Sequence, residues 1–306
     1  MDKIGGKSPL QLMRHSWQLY LMMLLPMAVI IIFSYGPMFG VQIAFKEFRA
    51  RDGIWGSPWI GFIHFKNFFN SYQFKRLITN TLGISLYGLL AGFPIPILLA
   101  ILVNESLHNR FKKGVQLITF APHFISTVVM TNMILMFLSV YGGPLNNFLV
   151  SMGMERVDFM AKPEFFKSIY VWSGIWQGMG YSSVIYIAAL SAIDPALYEA
   201  ATIDGANKFQ KIINIDLPGI APTIIILLIL NSGHIMNVGY EKILLMQNGL
   251  NMSASDVIST YVYRMGLENA QYSFSAAVGL FNSVINAILL VLVNQVARKL
   301  GETSLW

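Results

Sequence analysis

No cysteine occurs anywhere in the 306-residue chain, which excludes disulfides, thiolate metal ligands and cysteine nucleophiles. Charge is scarce as well. Asp, Glu, Lys and Arg together make up 12% of the residues, against about 25% in ordinary soluble domains. The sequence contains no G-x-x-x-x-G-K-[ST], so it lacks the loop that cradles nucleotide phosphates. H-E-x-x-H, G-x-S-x-G and paired carboxylates inside apolar segments are absent too. No catalytic residue and no metal site is therefore expected.

What is present is apolar. Hydrophobic residues make up 55% of the chain and the mean hydropathy is +0.57. All charged side chains fall outside six runs: 16–45, 77–104, 114–154, 168–193, 217–240 and 269–297. Each run exceeds the roughly 20 residues a helix needs to cross about 30 Å of hydrocarbon. Helices are the open-chain elements that satisfy every backbone group in lipid. The fold class expected is an all-α integral membrane protein of six transmembrane helices, at about 17–36, 77–103, 115–140, 169–192, 219–240 and 271–296. They form one domain, 1–306.

The third run is too long for one crossing, and "YGGPLNN" at 141–147 breaks it. Beyond the break, Leu145, Phe148, Leu149 and Met152 share a helical face opposite Asn146, Asn147 and Ser151, which reads as a short amphipathic segment in the interface. The first run is too apolar for too long to be a removed signal peptide and lacks an A-x-A site. The net charge of +6 reads as membrane-flanking Lys and Arg. Basic residues at the N-terminus (Lys3, Lys7, Arg14) and in the short loop 104–114 favour both termini inside. Phe65, Phe68, Phe69 and Tyr72 share a face in the aromatic loop before 77, which reads as an interfacial belt.

One polar stretch interrupts the apolar pattern: "EAATIDGANKFQKIINIDLP", 199–218. Asp194-Pro195 ahead of it is an N-cap followed by a proline suited to the first helical turn. A first helix would run from Pro195 to about Asp204, with Gly205 in a left-handed C-cap. A second short helix with Phe209, Ile212 and Ile213 on its apolar face would follow, ending at Leu217-Pro218. Two hinged helices on a membrane face make a knob that a soluble partner could grip. A folded loop with no partner would give the same periodicity.

This stretch resembles the EAA loop of the permease subunits of binding-protein-dependent ATP-binding-cassette importers. The chain matches that pattern at Glu199, Ala200, Ala201, Asp204, Gly205, Ala206, Phe209, Leu217 and Pro218. The stretches 92–105, 111–126, 191–207 and 256–281 are similar to carbohydrate-uptake permeases of the LplB-like branch. That branch is associated with oligosaccharides released from complex plant or algal polysaccharides. The resemblance implies a type I importer fold of the MetI and MalF kind, in a bacterial cell membrane with both termini cytoplasmic. Loops 37–76, 141–168 and 241–270 would then be extracytoplasmic, and 194–218 a cytoplasmic coupling loop docking on a separate ATPase. It further implies a second homologous permease, two ATPase subunits and an extracytoplasmic solute-binding protein or lipoprotein. ATP and Mg would belong to the ATPase, and this chain would bind no cofactor.

A pyranose offers hydroxyls to amides and C–H faces to aromatic rings. Candidates for the path are therefore Trp172, Trp176 and Gln177 (with Tyr181) in span four, and Asn231, His234 and Asn237 on one face of span five, continued by Glu241. Asn282 and Asn286 in span six and His123, Thr127 and Thr131 in span three have helical spacing too. Helix–helix bonding is the rival reading for all of them. Pro94 and Pro96 would kink or hinge span two. An ion-coupled secondary sugar transporter is the alternative function. Such proteins carry ionisable groups at mid-membrane, and here His123 and His234 are the only titratable candidates inside the expected spans. An intramembrane enzyme is a third class, lacking its motifs.

Overall fold

The computed structural model describes residues 16–106 and 108–299, and within them the apolar runs fold as helices. The terminal basic residues Lys3, Lys7 and Arg14 lie outside the described residues. In chain order the main elements are α1 (Trp17–Phe45), α2 (Phe74–Asn104), the bent pair α3 (Asn109–Phe124) and α4 (Thr127–Phe137), and α5 (Pro144–Ser151). The bent pair α6 (Pro163–Ser191) and α7 (Pro195–Ile203), then α8 (Lys208–Ser232), α9 (Tyr240–Met246) and α10 (Tyr272–Lys299) complete them. Among the described residues, helices α1, α2, α8 and α10 are each long and apolar enough to cross a membrane, and the count rises to six if each bent pair is one span. Among the described residues no β-strand forms beyond an isolated bridge between Lys46 and Trp59.

Helix α6 organises the body, packing against α2, α3 and α8. Toward its first end Phe166 and Val171 meet Ile84, Val238 and Ile243; toward its last end Tyr186 and Leu190 meet Ile97, Ala100 and Ile220. Gly180 lets α3 approach closely, because a Cβ there would lie 2.2 Å from the Thr119 carbonyl oxygen. By contrast, none of the apolar window of α1 is buried among the described residues. Its last residues, 39–45, pack on α10.

Several elements depart from the sequence reading. Helix α1 continues to Phe45 where an end near 36 is expected. The third crossing, expected as one helix over 115–140, is bent by 101° between α3 and α4. Pro122 has no N–H to continue the ladder, the backbone turns extended at Ile125 and Ser126, and Ser126 caps α4 from its hydroxyl. Helix α8 starts at Lys208, so the expected second loop helix and span five are continuous through a wide turn at Ile212–Asp216. At its other end α8 stops at Ser232 instead of running to 240. Helix α2 passes Pro94 and Pro96 with an interruption only at Phe93.

Two polar or aromatic groups were placed on the wrong side by periodicity. Asn146, expected on the wet face of α5, is fully buried. It donates to the carbonyls of Leu138, Ser139 and Val157 and accepts from the Val157 N–H. The aromatic belt also divides. Phe68 is core, with ring contacts to Phe74 at 5.1 Å and Phe281 at 5.6 Å, whereas Tyr72 is 85% exposed.

Candidate functional site: a walled cavity and an exposed loop

A cavity of about 1020 Å³ lies between α2, α6 and the segment 227–242. Its size is at the upper end of small-molecule sites. Of the sequence candidates it gathers Gln177, Tyr181, Asn231, His234 and Asn237. They do not meet for the expected reason. Helix α8 has ended by Gly233, and His234 and Asn237 are brought in by consecutive turns, with the Asn237 N–H donating to the His234 carbonyl at 2.8 Å. Trp172, Trp176 and Glu241 do not line the cavity. The Trp172 indole N–H donates to the Tyr87 hydroxyl at 2.8 Å.

The polar groups divide by what they already hold. The Asn231 amide donates to its own helix at the Leu227 carbonyl, 2.8 Å away. Gln177 donates to the Ile125 carbonyl at 2.8 Å, fastening α6 to the α3–α4 break. His123, expected in register with Thr127 and Thr131, sits before that break and stacks on Tyr181 at 4.0 Å. Thr131 is buried and its hydroxyl has no hydrogen-bond partner among the described residues. Asn237 accepts from Asn282 at 2.9 Å and from Asn286 at 3.0 Å, and the Met236 N–H donates to Asn286 at 2.9 Å. Asn282 lines a second, separate hollow with Tyr240, Tyr263 and Tyr272.

Lys242 is the residue that the sequence reading missed. It is the single formally charged side chain in the cavity wall, yet it was assigned to an outer loop. Its ammonium donates to the Tyr170 carbonyl at 3.0 Å and lies 4.8 Å from the centre of the Tyr170 ring. Burial disfavours the charged form and pushes its pKa down to about 8. A lone lysine inside "YEKILLM" was the available signal.

At the far end of α6 the chain turns through 70° into α7. Asp194 caps α7, accepting from the Ala196 N–H at 2.9 Å. Gly205 has φ +75°. The Ala206 N–H reaches the Ala201 carbonyl at 2.9 Å and the Gly205 N–H the Thr202 carbonyl at 3.2 Å, a Schellman close. Asn207 and Gln210 then cap α8 reciprocally at 2.8 and 2.9 Å. The Tyr198 hydroxyl donates to buried Asp216 at 2.5 Å, pinning α7 to the base of α8. Burial and that carboxylate push the Tyr198 phenol well above its usual pKa. Glu199 and Asp204 face solvent, Ile203 is 86% exposed and Phe209 70%. Pro218, by contrast, lies inside α8.

Residues 92–302 match the family described as binding-protein-dependent transport system inner membrane component. The chain belongs to that family. The permease is thus a transport component of the inner membrane and not an enzyme. It is 40% identical over 295 residues to protein LplB of Bacillus subtilis (strain 168), covering 96% of this chain and 92% of that one. It is also 40% identical over 288 residues to the polygalacturonan/rhamnogalacturonan transport system permease protein YteP of the same strain, covering 94% and 90%. A chain of a crystallised bacterial ABC transporter involved in the import of the acidic polysaccharide alginate superposes with TM-score 0.87 at 44% identity, covering 94% of this permease and 97% of that chain.

Proposed function

We propose that this permease is one membrane half of an ATP-driven oligosaccharide importer, providing one wall of the path and receiving force through the loop 194–218. The observation that carries this reading is the position of the loop. It joins α6 directly to α8, and both helices line the cavity, so a displacement of the loop displaces two of its walls. Exposed Ile203 and Phe209, with the solvent-facing carboxylates of Glu199 and Asp204, suit a groove on a soluble subunit. Glu199, Ala200, Ala201, Asp204, Gly205, Ala206, Phe209 and Pro218 would form or position that contact. The loop and both termini would be cytoplasmic. ATP and Mg would be held by two ATPase subunits, and a second permease and an extracytoplasmic binding protein would complete the machine. The names of the similar proteins, for alginate and for polygalacturonan/rhamnogalacturonan, support fragments of polysaccharides as cargo.

The test is purification of the tagged chain from its host, followed by reconstitution of what accompanies it. Two ATPase copies and a second permease should co-purify, and the assembly with its binding protein should accumulate oligosaccharide only with ATP. Accumulation by this chain alone overturns the reading. So does uptake that an uncoupler abolishes and loss of the ATPase leaves intact.

A further inference from the structure

An ammonium buried among apolar side chains with no anion beside it is costly. Lys242 nevertheless occupies such a place, 8% exposed, with Ile84, Val171, Ile175 and Val238 among the other residues of the same wall. Among the described residues it has no carboxylate partner: the ion pairs there involve Arg49, Arg76 and Arg264 only. A lysine ammonium has three protons to give. One is directed to the Tyr170 carbonyl and the Tyr170 ring lies beside the group, so Tyr170 fixes its position without neutralising it. Gly174 lies against the same group: a Cβ there would stand 3.4 Å from the ammonium, at van der Waals contact.

We infer that Lys242 is the specificity-determining cation of the cavity, where its ammonium takes the anionic group of an acidic sugar unit. The inference rests on the proposed carriage of oligosaccharides and adds their charge. Gln177 and Asn231 bring amides and His234 an imidazole to the same wall, suited to hydroxyls. A fixed positive charge in a low-dielectric wall discriminates strongly between a neutral and an anionic unit. The anion would be a uronate carboxylate or a sulfate ester.

The test reads binding in the assembled complex without the binding protein, so that selection by that partner does not intervene. Ser182 lines the cavity, and the chain has no native cysteine, so Ser182→Cys supplies one thiol at the site. Its labelling by a water-soluble thiol reagent should be slowed by a uronic-acid tetrasaccharide at concentrations at least about tenfold below those of a neutral one, as expected for a charge-assisted bond. Lys242→Met, which suits the apolar surroundings, should abolish that difference, and Lys242→Arg should keep it. A sulfated tetrasaccharide that protects equally well assigns the selectivity to charge; one that does not assigns it to the carboxylate. Equal protection by acidic and neutral sugars, no protection by either, or a difference that survives in Lys242→Met overturns the inference. Because labelling needs no ATP, a failure of ATP-driven uptake with preferential uronate protection intact would strike the transport reading alone.

Discussion

At its Lys208 end α8 begins in a loop whose hydrogen bonds close on themselves, while at its Ser232 end it stops in a turn whose amides reach across to α10. The first end carries the Asp194 cap, the Schellman close at Gly205 and the Asn207–Gln210 box, all of them short-range bonds. The second carries Asn237 bonded to Asn282 and Asn286, 45 and 49 residues away in sequence. A loop satisfied within itself keeps its shape when it leaves or meets a partner. Long-range amide bonds instead fix the turn after α8 to α10. On the proposed coupling role, the difference separates a part suited to an exchangeable contact from a fixed joint.

Breaking the joint should give the largest effect. Asn286→Ala removes the acceptor of the buried Met236 N–H and one of the two donors to Asn237. Each buried group left unpaired costs about 1–3 kcal/mol. Recovery of folded protein and its thermal midpoint in detergent should fall, with sugar preference of the surviving fraction unchanged. Wild-type recovery together with an altered sugar preference would place Asn286 in the path and dissolve the contrast.

Gly205→Val attacks the other end. A β-branched residue at φ +75° costs about 1–3 kcal/mol of local strain. A Cβ at Gly205 would meet no heavy atom within 4 Å, so the effect is backbone strain and not a clash at that atom. Membrane insertion and yield should be unchanged, while ATP-driven uptake and ATPase co-purification collapse. Normal uptake at normal expression would remove the loop from the coupling role.

How much of this could be read without coordinates follows the same contrast. Local chemistry was legible: Asp194-Pro195 announces a cap and Gly205 a left-handed close, and both occur where expected. Non-local chemistry was not. The charge-free run 217–240 measures apolarity, and Ile235, Met236 and Val238 continue it after the helix has ended, because Met236 and Val238 are buried by protein and not by lipid. Phe68 looked interfacial for the same reason. Its burial depends on Tyr261, Phe274 and Phe281, about 200 residues on in the chain. In the cavity, Asn231 was found through residue type, whereas Trp172 and Trp176 were found by type and then placed elsewhere by the rotation of α6. Lys242 escaped because a charge in a loop looks solvated until α6 is packed against it.

The smallest effect should come from Asn231, which stands at the Ser232 end of α8 but takes no part in the joint to α10. Its amide N–H bonds only its own helix, at the Leu227 carbonyl, and the side chain remains exposed on the cavity side. Removing it frees a carbonyl that α8 has already paired within its ladder and leaves no buried partner orphaned. The cost to folding should therefore stay within about 0.5 kcal/mol, as for substitutions away from packed features. If its side-chain oxygen receives a sugar hydroxyl, Asn231→Ala gives up one neutral hydrogen bond, worth about 0.5–1.5 kcal/mol. Sugar-stimulated ATP turnover should then require a several-fold higher sugar concentration, with assembly and basal turnover unchanged. Cysteine at 231 should react with a water-soluble thiol reagent. A cysteine there that is never labelled, with or without ATP, places Asn231 against protein, and the polar wall of the cavity then narrows to the turns that follow α8.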